Sequence, residues 1–146
     1  MNKTIPMIFV CSYLVGHIAP DATAEQVNAA IKKNQEWAEM YCWYVAKKGG
    51  NPYAPHLLMT RFLDDTKPED RELGIALGMA TLERCDELWF FLRDGEEPSR
   101  GMKKEIERAK ELGIIICRVD PAKVEALYAE AYGMGEVIHN DIHICG

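Results

Sequence analysis

Glu105 is the side chain in this sequence best placed to do chemistry. It lies in SRGMKKEIERAKELG, residues 99–113, which reads as a loop opening into a helix. Apolar runs at residues 87–92 (ELWFFL) and 114–119 (IIICRV) flank it as strands. At about 100° per residue, Met102, Ile106, Ala109, Leu112 and Gly113 form one apolar stripe. Lys103, Lys104, Glu107, Arg108, Lys110 and Glu111 form the solvated face. Glu105 points between Ala109 and Leu112, so its carboxylate shares the apolar side. A carboxylate there is costly unless something holds it, or unless it bends out to solvent or to a neighbouring cation. It also lies near a helix N-terminus, where free N–H groups and the macrodipole favour an anion. Beyond the end of a parallel strand, that is where an α/β protein keeps a catalytic acid or nucleophile.

Other candidates are weaker. Ser12 offers a hydroxyl just after the first apolar run, and Gly16 allows close backbone approach, although both also suit a plain strand-to-helix connection. His56 follows a second short strand, where a histidine either serves a site or fills a gap. Asn34 falls on the inward stripe of a helix, to close a buried hydrogen-bond network or reach a ligand.

The elements that must position these groups follow from pattern. Residues 5–11 (IPMIFVC) read as a strand buried on both faces. Thr23 and Gln26 have capping-box spacing and open a long helix, with Val27, Ile31, Ala38, Tyr41 and Val45 inward and Gly49-Gly50 as its stop. Residues 51–55 (NPYAP) suit a proline-flanked edge strand, and residues 57–63 one or two helical turns. Residues 64–69 form a polar rim. There Thr66 and Glu69 repeat the capping-box spacing and Pro68 suits a first turn, opening a helix to residue 84. Gly74 and Gly78 share one face of that helix, which suggests close packing or room for a ligand or partner subunit. Asp86 reads as a turn or cap residue, residues 121–132 as a helix, and residues 136–146 as a last short strand. His139, His143 and Cys145 lack helical patterning and a placed carboxylate, so no metal site is expected.

This order predicts one doubly wound α/β domain over residues 1–146: a three-layer, flavodoxin-like or Rossmann-like fold with four or five parallel strands. Strand order 2-1-3-4 would bring Ser12, Tyr13, Ser99, Arg100 and Glu105 together at the switch point. There is no GxGxxG and no Walker A sequence. A net charge of −6 argues against a nucleic-acid polymer as partner. No apolar run approaches the roughly 20 residues of a membrane span, and the N-terminal residues read as a strand, not a signal peptide. Five scattered cysteines without a CxxC pair suit reduced thiols in a cytoplasmic protein.

Several segments together resemble the nucleoside 2-deoxyribosyltransferase-like superfamily: SYLVG (12–16), NQEWA (34–38), NPYAPHLLMTRFLDD (51–65), CDELWFF (85–91) and residues 99–113. The APHLL and SxGMxxE segments point to a bacterial and phage branch, and the resemblance runs from about residue 7 to residue 119. It implies a flavodoxin-like domain in which a helix-borne glutamate, here Glu105, attacks C1′ of a deoxyribonucleoside and releases the base. The sugar then passes to another base, or to water in the nucleotide N-hydrolases. Ser99 matches a position that is Asp in the transferases and Ser in hydrolase-like members. With Arg100 and the amides of Gly101 and Met102 it would hold a 5′-phosphate. Ser12 would contact sugar or phosphate, while Tyr13 and His56 would be pocket walls or proton carriers. The resemblance implies a small-molecule nucleoside or nucleotide, no metal or organic cofactor, and a homo-oligomer.

The chain departs from the pattern at four positions. Gly78 stands in place of an aspartate that assists the leaving base, and Phe9 in place of a tyrosine that orients the nucleophile. Val15 stands where Arg is frequent, and Glu107 where a small residue is common. The proton for the leaving base then falls to His56, Asp64 or Asp65, or the protein binds without turnover.

Overall fold

The computed structural model describes residues 4–133. The elements run β1 (Met7–Cys11), α1 (Ala24–Lys47), β2 (Asn51–Tyr53), α2 (Pro55–Leu58), a 3-10 turn (Met59–Arg61), α3 (Pro68–Leu82), β3 (Glu87–Phe91), α4 (Arg100–Leu112), β4 (Ile115–Val119) and α5 (Pro121–Tyr132). The four strands form one all-parallel sheet in the order β2-β1-β3-β4, as the sequence predicts. The expected tail strand, with His139, His143 and Cys145, lies outside the described residues.

Side-chain alternation along the strands divides the core into two layers. Ile8 and Val10 of β1 and Phe91 of β3 pack against Trp37, Tyr41 and Val45 of α1 and Val124 of α5. Phe9 and Cys11 of β1 and Leu88 of β3 face the other way, against Leu82 of α3 and Met102 and Ala109 of α4. The sheet is therefore the middle of three layers, and consecutive residues of β1 serve opposite cores. On the first face, Tyr41 and Phe91 stack with centroids 4.1 Å apart and planes 8° apart. Such a pair contributes about 1 kcal/mol beyond its buried area. Asp86 holds the start of the sheet: its Oδ2 accepts from the Met7 N–H at 2.7 Å, and its own N–H donates to the Met7 carbonyl at 2.9 Å.

The Thr23–Gln26 capping box forms in both directions. Its counterpart at Thr66 and Glu69 does not. Pro68 sets the first turn one residue later, so Lys67 is the N-cap and no side chain caps α3. The Thr66 hydroxyl instead donates to Asp64 Oδ1 at 2.6 Å, inside a turn. β2 ends at Tyr53, before Pro55 opens α2, so the second strand is shorter than its apolar run.

Candidate functional site

A pocket of about 310 Å³ opens at the carboxyl edge of β1, between the loop after that strand and helices α2, α3 and α4. Its size falls at the lower end of small-molecule sites. Ser12, Val15 and Gly16 line it from the first loop, His56 and Thr60 from the α2 region, and Gly74 and Gly78 from α3. Ser99, Arg100, Gly101, Met102 and Glu105 line it from the opening of α4. Of the candidates named from sequence, Tyr13, Asn34 and Asp64 are not among the residues that line it.

Glu105 is the sixth residue of α4 and turns toward the sheet, as the stripe requires. Its side chain is part-buried, and solvent reaches it through the pocket. Burial pushes its pKa up from the ordinary glutamate value to about 7, and a hydrogen bond from the Cys11 thiol pulls it partly back. The expected lowering by the helix N-terminus is overturned: Glu105 lies beyond the first turn, where the macrodipole fades, and desolvation wins. Cys11 is fully buried beneath it, with Sγ also 3.9 Å from the Met102 carbonyl. Burial and the neighbouring carboxylate hold the thiol well above its usual range.

Ser99 is the N-cap of α4, and its Oγ accepts from the Met102 N–H at 3.2 Å. The Met102 amide is thus occupied by the cap, a correction to its expected role as a phosphate donor. Its side chain, 1% exposed, belongs to the core. The Lys103 N–H is likewise bonded to the Ser99 carbonyl. The amides of Arg100 and Gly101 are the first-turn donors left for a ligand.

Ser12 is only 3% exposed, and its Oγ has no hydrogen-bond partner among the described residues. A buried hydroxyl left unpaired costs about 1 to 3 kcal/mol. Its carbonyl accepts from His56 Nε2 at 2.9 Å, so Nε2 carries the ring proton. Burial lowers the His56 pKa, against smaller upward pulls from that carbonyl and from Asp65. Asn34 Nδ2 donates to the Leu14 carbonyl at 2.9 Å, the network role foreseen for it, and pins the first loop to α1. Gly16 has φ +78°, a left-handed conformation that favours glycine.

Tyr13 is not in this pocket. Its hydroxyl donates to the Glu97 carbonyl, with His17 Nε2 3.2 Å away. The residue lines a separate hollow of about 90 Å³ with Trp37, Tyr41 and Arg93. Two positions after β1, it packs at the edge of the α3–α4 core while its hydroxyl reaches the loop after β3. Asp65 and Arg71 also line the main pocket. Asp65 was one of three proton donors open from sequence. Arg71 was missed because it reads there as one charge among several on a solvated helix. Gln35 was missed too: its Nε2 donates to Thr60 Oγ1 at 2.7 Å and to the His56 carbonyl at 3.3 Å, fixing the α2 turn to α1. Among the described residues, no three His, Cys, Asp or Glu side chains converge as a metal site.

The fold and pocket define a three-layer α/β protein with a ligand-sized cleft at the carboxyl edge of its sheet. Residues 6–119 match the family described as "Domain of unknown function (DUF7768)", and the chain belongs to that family. A comparison with curated proteins gives no match. Among the described residues, no helix is long and apolar enough to cross a membrane.

Proposed function

We propose that this protein cleaves or transfers the N-glycosidic bond of a (deoxy)nucleoside or its 5′-monophosphate, with Glu105 as nucleophile. The supporting observation is a part-buried carboxyl group, its pKa pushed up to about 7 by burial, in a 310 Å³ pocket also lined by Ser12, whose hydroxyl is unpartnered among the described residues. The resemblance to nucleoside 2-deoxyribosyltransferase-like proteins points the same way. Arg71 and Arg100 line the pocket beside the Gly101 amide and favour the monophosphate.

The chemistry runs in two displacements. A Glu105 oxygen bonds to C1′ as the C1′–N bond breaks, and the electron pair leaves with the base. The base needs a proton, and His56 is the imidazole in the pocket able to supply it. Water, or a second base, then attacks C1′ and gives its proton to His56, the ester's C1′–O bond opens and the carboxylate is restored. No metal or organic cofactor enters this scheme.

The test is a panel of deoxynucleosides and their monophosphates, with free base followed over time. Base release by wild type that vanishes in Glu105→Ala supports the reading. No release, or release undiminished in the variant, contradicts it. A second reading, a nucleotide-binding module without turnover, is favoured by Gly78, which carries no carboxylate, and by Phe9, fully buried with no hydroxyl to offer. It requires that the ligand be recovered intact after binding.

We also propose a homo-oligomer. Leu73 and Leu77, four apart on α3, are exposed at 48% and 38%, a natural contact for a second copy. Mass in solution checks it, and a monomer at working concentration removes it. The free cysteines Cys11, Cys42, Cys85 and Cys117 favour a reducing, cytoplasmic setting.

A further inference from the structure

Glycine inside a helix weakens it relative to alanine, so its presence needs a reason. The usual reasons are a left-handed backbone and a neighbour too close for a Cβ. Both occur elsewhere in this chain. Gly113 has φ +70°, and a Cβ on Gly50 would come within 2.6 Å of Ile8 Cγ1. Neither reason applies in the middle of α3. Gly74 and Gly78 are not among the positive-φ glycines. A Cβ on Gly74 would meet Leu63 Cδ1 at 3.5 Å, and one on Gly78 would meet Pro55 Cβ at 3.8 Å, both ordinary contacts. The fold has room for a methyl group at each.

What the two glycines share is the pocket. Both line it, one helical turn apart on the same face, and they leave about 6 Å of bare backbone along its wall. Pro55, Met59 and Ile75 give the adjacent lining an apolar character. A separate observation points to a ligand: Ser12 lines the pocket, is 3% exposed, and its hydroxyl has no hydrogen-bond partner among the described residues.

We propose that the bare α3 backbone at Gly74 and Gly78 is a slot for the flat base of the ligand, and that the base has two fused rings. One missing side chain would admit a single ring. Two, spaced by a full turn, match the long axis of a purine-type base, and a one-ring base leaves one end of the slot empty. Gly78 is then a specificity-determining position and not simply the place where a carboxylate was lost. This rests on the nucleotide reading of the pocket, but not on Glu105 performing turnover.

The experiment measures binding without chemistry. Glu105→Gln protein is titrated with the 5′-monophosphates of deoxyadenosine, deoxyguanosine, deoxycytidine and thymidine, alone and combined with Gly74→Ala or Gly78→Ala. Thermal midpoints are measured in parallel. The expected result has opposite signs. Each alanine raises the midpoint by about 2–4 °C. Each also weakens the purine nucleotides by roughly tenfold or more through overpacking, and the pyrimidine nucleotides by less than about threefold. A lower midpoint would mean that the fold needs the glycines and would overturn the proposal. So would unchanged purine affinity, equal losses for one- and two-ring bases, or binding of none of the four. If purine nucleotides bind in this glycine-dependent way but wild type releases no base, the slot stands and the nucleophile reading fails.

Discussion

His56 Nε2 donates to the Ser12 carbonyl oxygen across 2.9 Å, which fixes the tautomer of the pocket's imidazole. Nδ1 therefore carries the lone pair in the neutral ring and takes the second proton in the imidazolium. The charged groups that share the pocket with it are Glu105 and Asp65, both acidic, and Arg71 and Arg100.

Replacing His56 with glutamine keeps a side-chain N–H for Ser12 and removes the acid. Release of an ordinary base should fall by about 10² to 10⁴. Release of 4-nitrophenol from the corresponding deoxyribosyl 5-phosphate, which leaves without a proton, should change little. Equal losses on the two substrates would make His56 a structural residue only.

The wild-type rate should show a bell in pH. Activity needs Glu105 ionised, with its pKa at about 7, and His56 protonated, with its pKa lowered by burial, so the ascending limb breaks at the imidazole and the descending limb near 7. Because the carboxyl titrates above the imidazole, the active form is the minority arrangement of one shared proton, and the maximum falls between the two. In His56→Gln the descending limb should disappear, leaving a plateau above about pH 7. A pH–kcat/KM series on both proteins checks this.

Glu105 should cost stability as well as give activity. Its folded pKa, about 7, lies above that of an unfolded glutamate. The native state therefore binds more protons between roughly pH 4.5 and 7, and stability falls as pH rises through that window. The full penalty above it is about 3 kcal/mol. Glu105→Gln should accordingly melt several degrees above wild type at pH 8 and close to it at pH 4. Parallel thermal melts at the two pH values test this, and a variant no more stable at pH 8 would contradict the burial of the charge.

Cys11 tunes that carboxylate. Its hydrogen bond favours the ionised form, so Cys11→Ala should move the break near 7 to higher pH. Cys11→Ser, with a stronger donor, should move it lower. The limb position in rate profiles of the two variants is the readout, and no movement in either would remove the thiol from the site.

Ser99 caps α4 and borders the pocket at once. Ser99→Ala should lose about 1 kcal/mol of stability. Ser99→Asp should keep the cap, since aspartate is an equally good N-cap, but place an anion where a phosphate would sit. Binding of the monophosphate should then drop well below that of the nucleoside, with the melting temperature held. Calorimetric titration of both ligands decides it.

How much of this was legible in the sequence depended on whether a signal was local. The apolar runs at β1, β3 and β4 mark strands buried on both faces, and the alternation of strands with helices gives the doubly wound parallel sheet. Glu105 was found because it breaks a helical stripe. The capping box at Thr23 and its failed copy at Thr66 have the same spacing, but Pro68 shifts the second start by one residue. Tyr13 was misplaced because a loop has no period from which to read a direction. Arg71 and Gln35 gave no signal, since their roles arise where helices meet the first loop and α2. Gly74 and Gly78 were visible, but choosing ligand room over tight packing required knowing how far each lies from its neighbours.

The central claim is that Glu105 forms a bond to the sugar. The direct measurement incubates wild type with a 2′-fluoroarabino purine nucleoside 5′-monophosphate, in which fluorine slows both displacements, and maps intact and digested mass. The account predicts one equivalent of free base per chain and a fluorosugar phosphate attached to Glu105. Base released with no adduct, or an adduct on another residue, would contradict it.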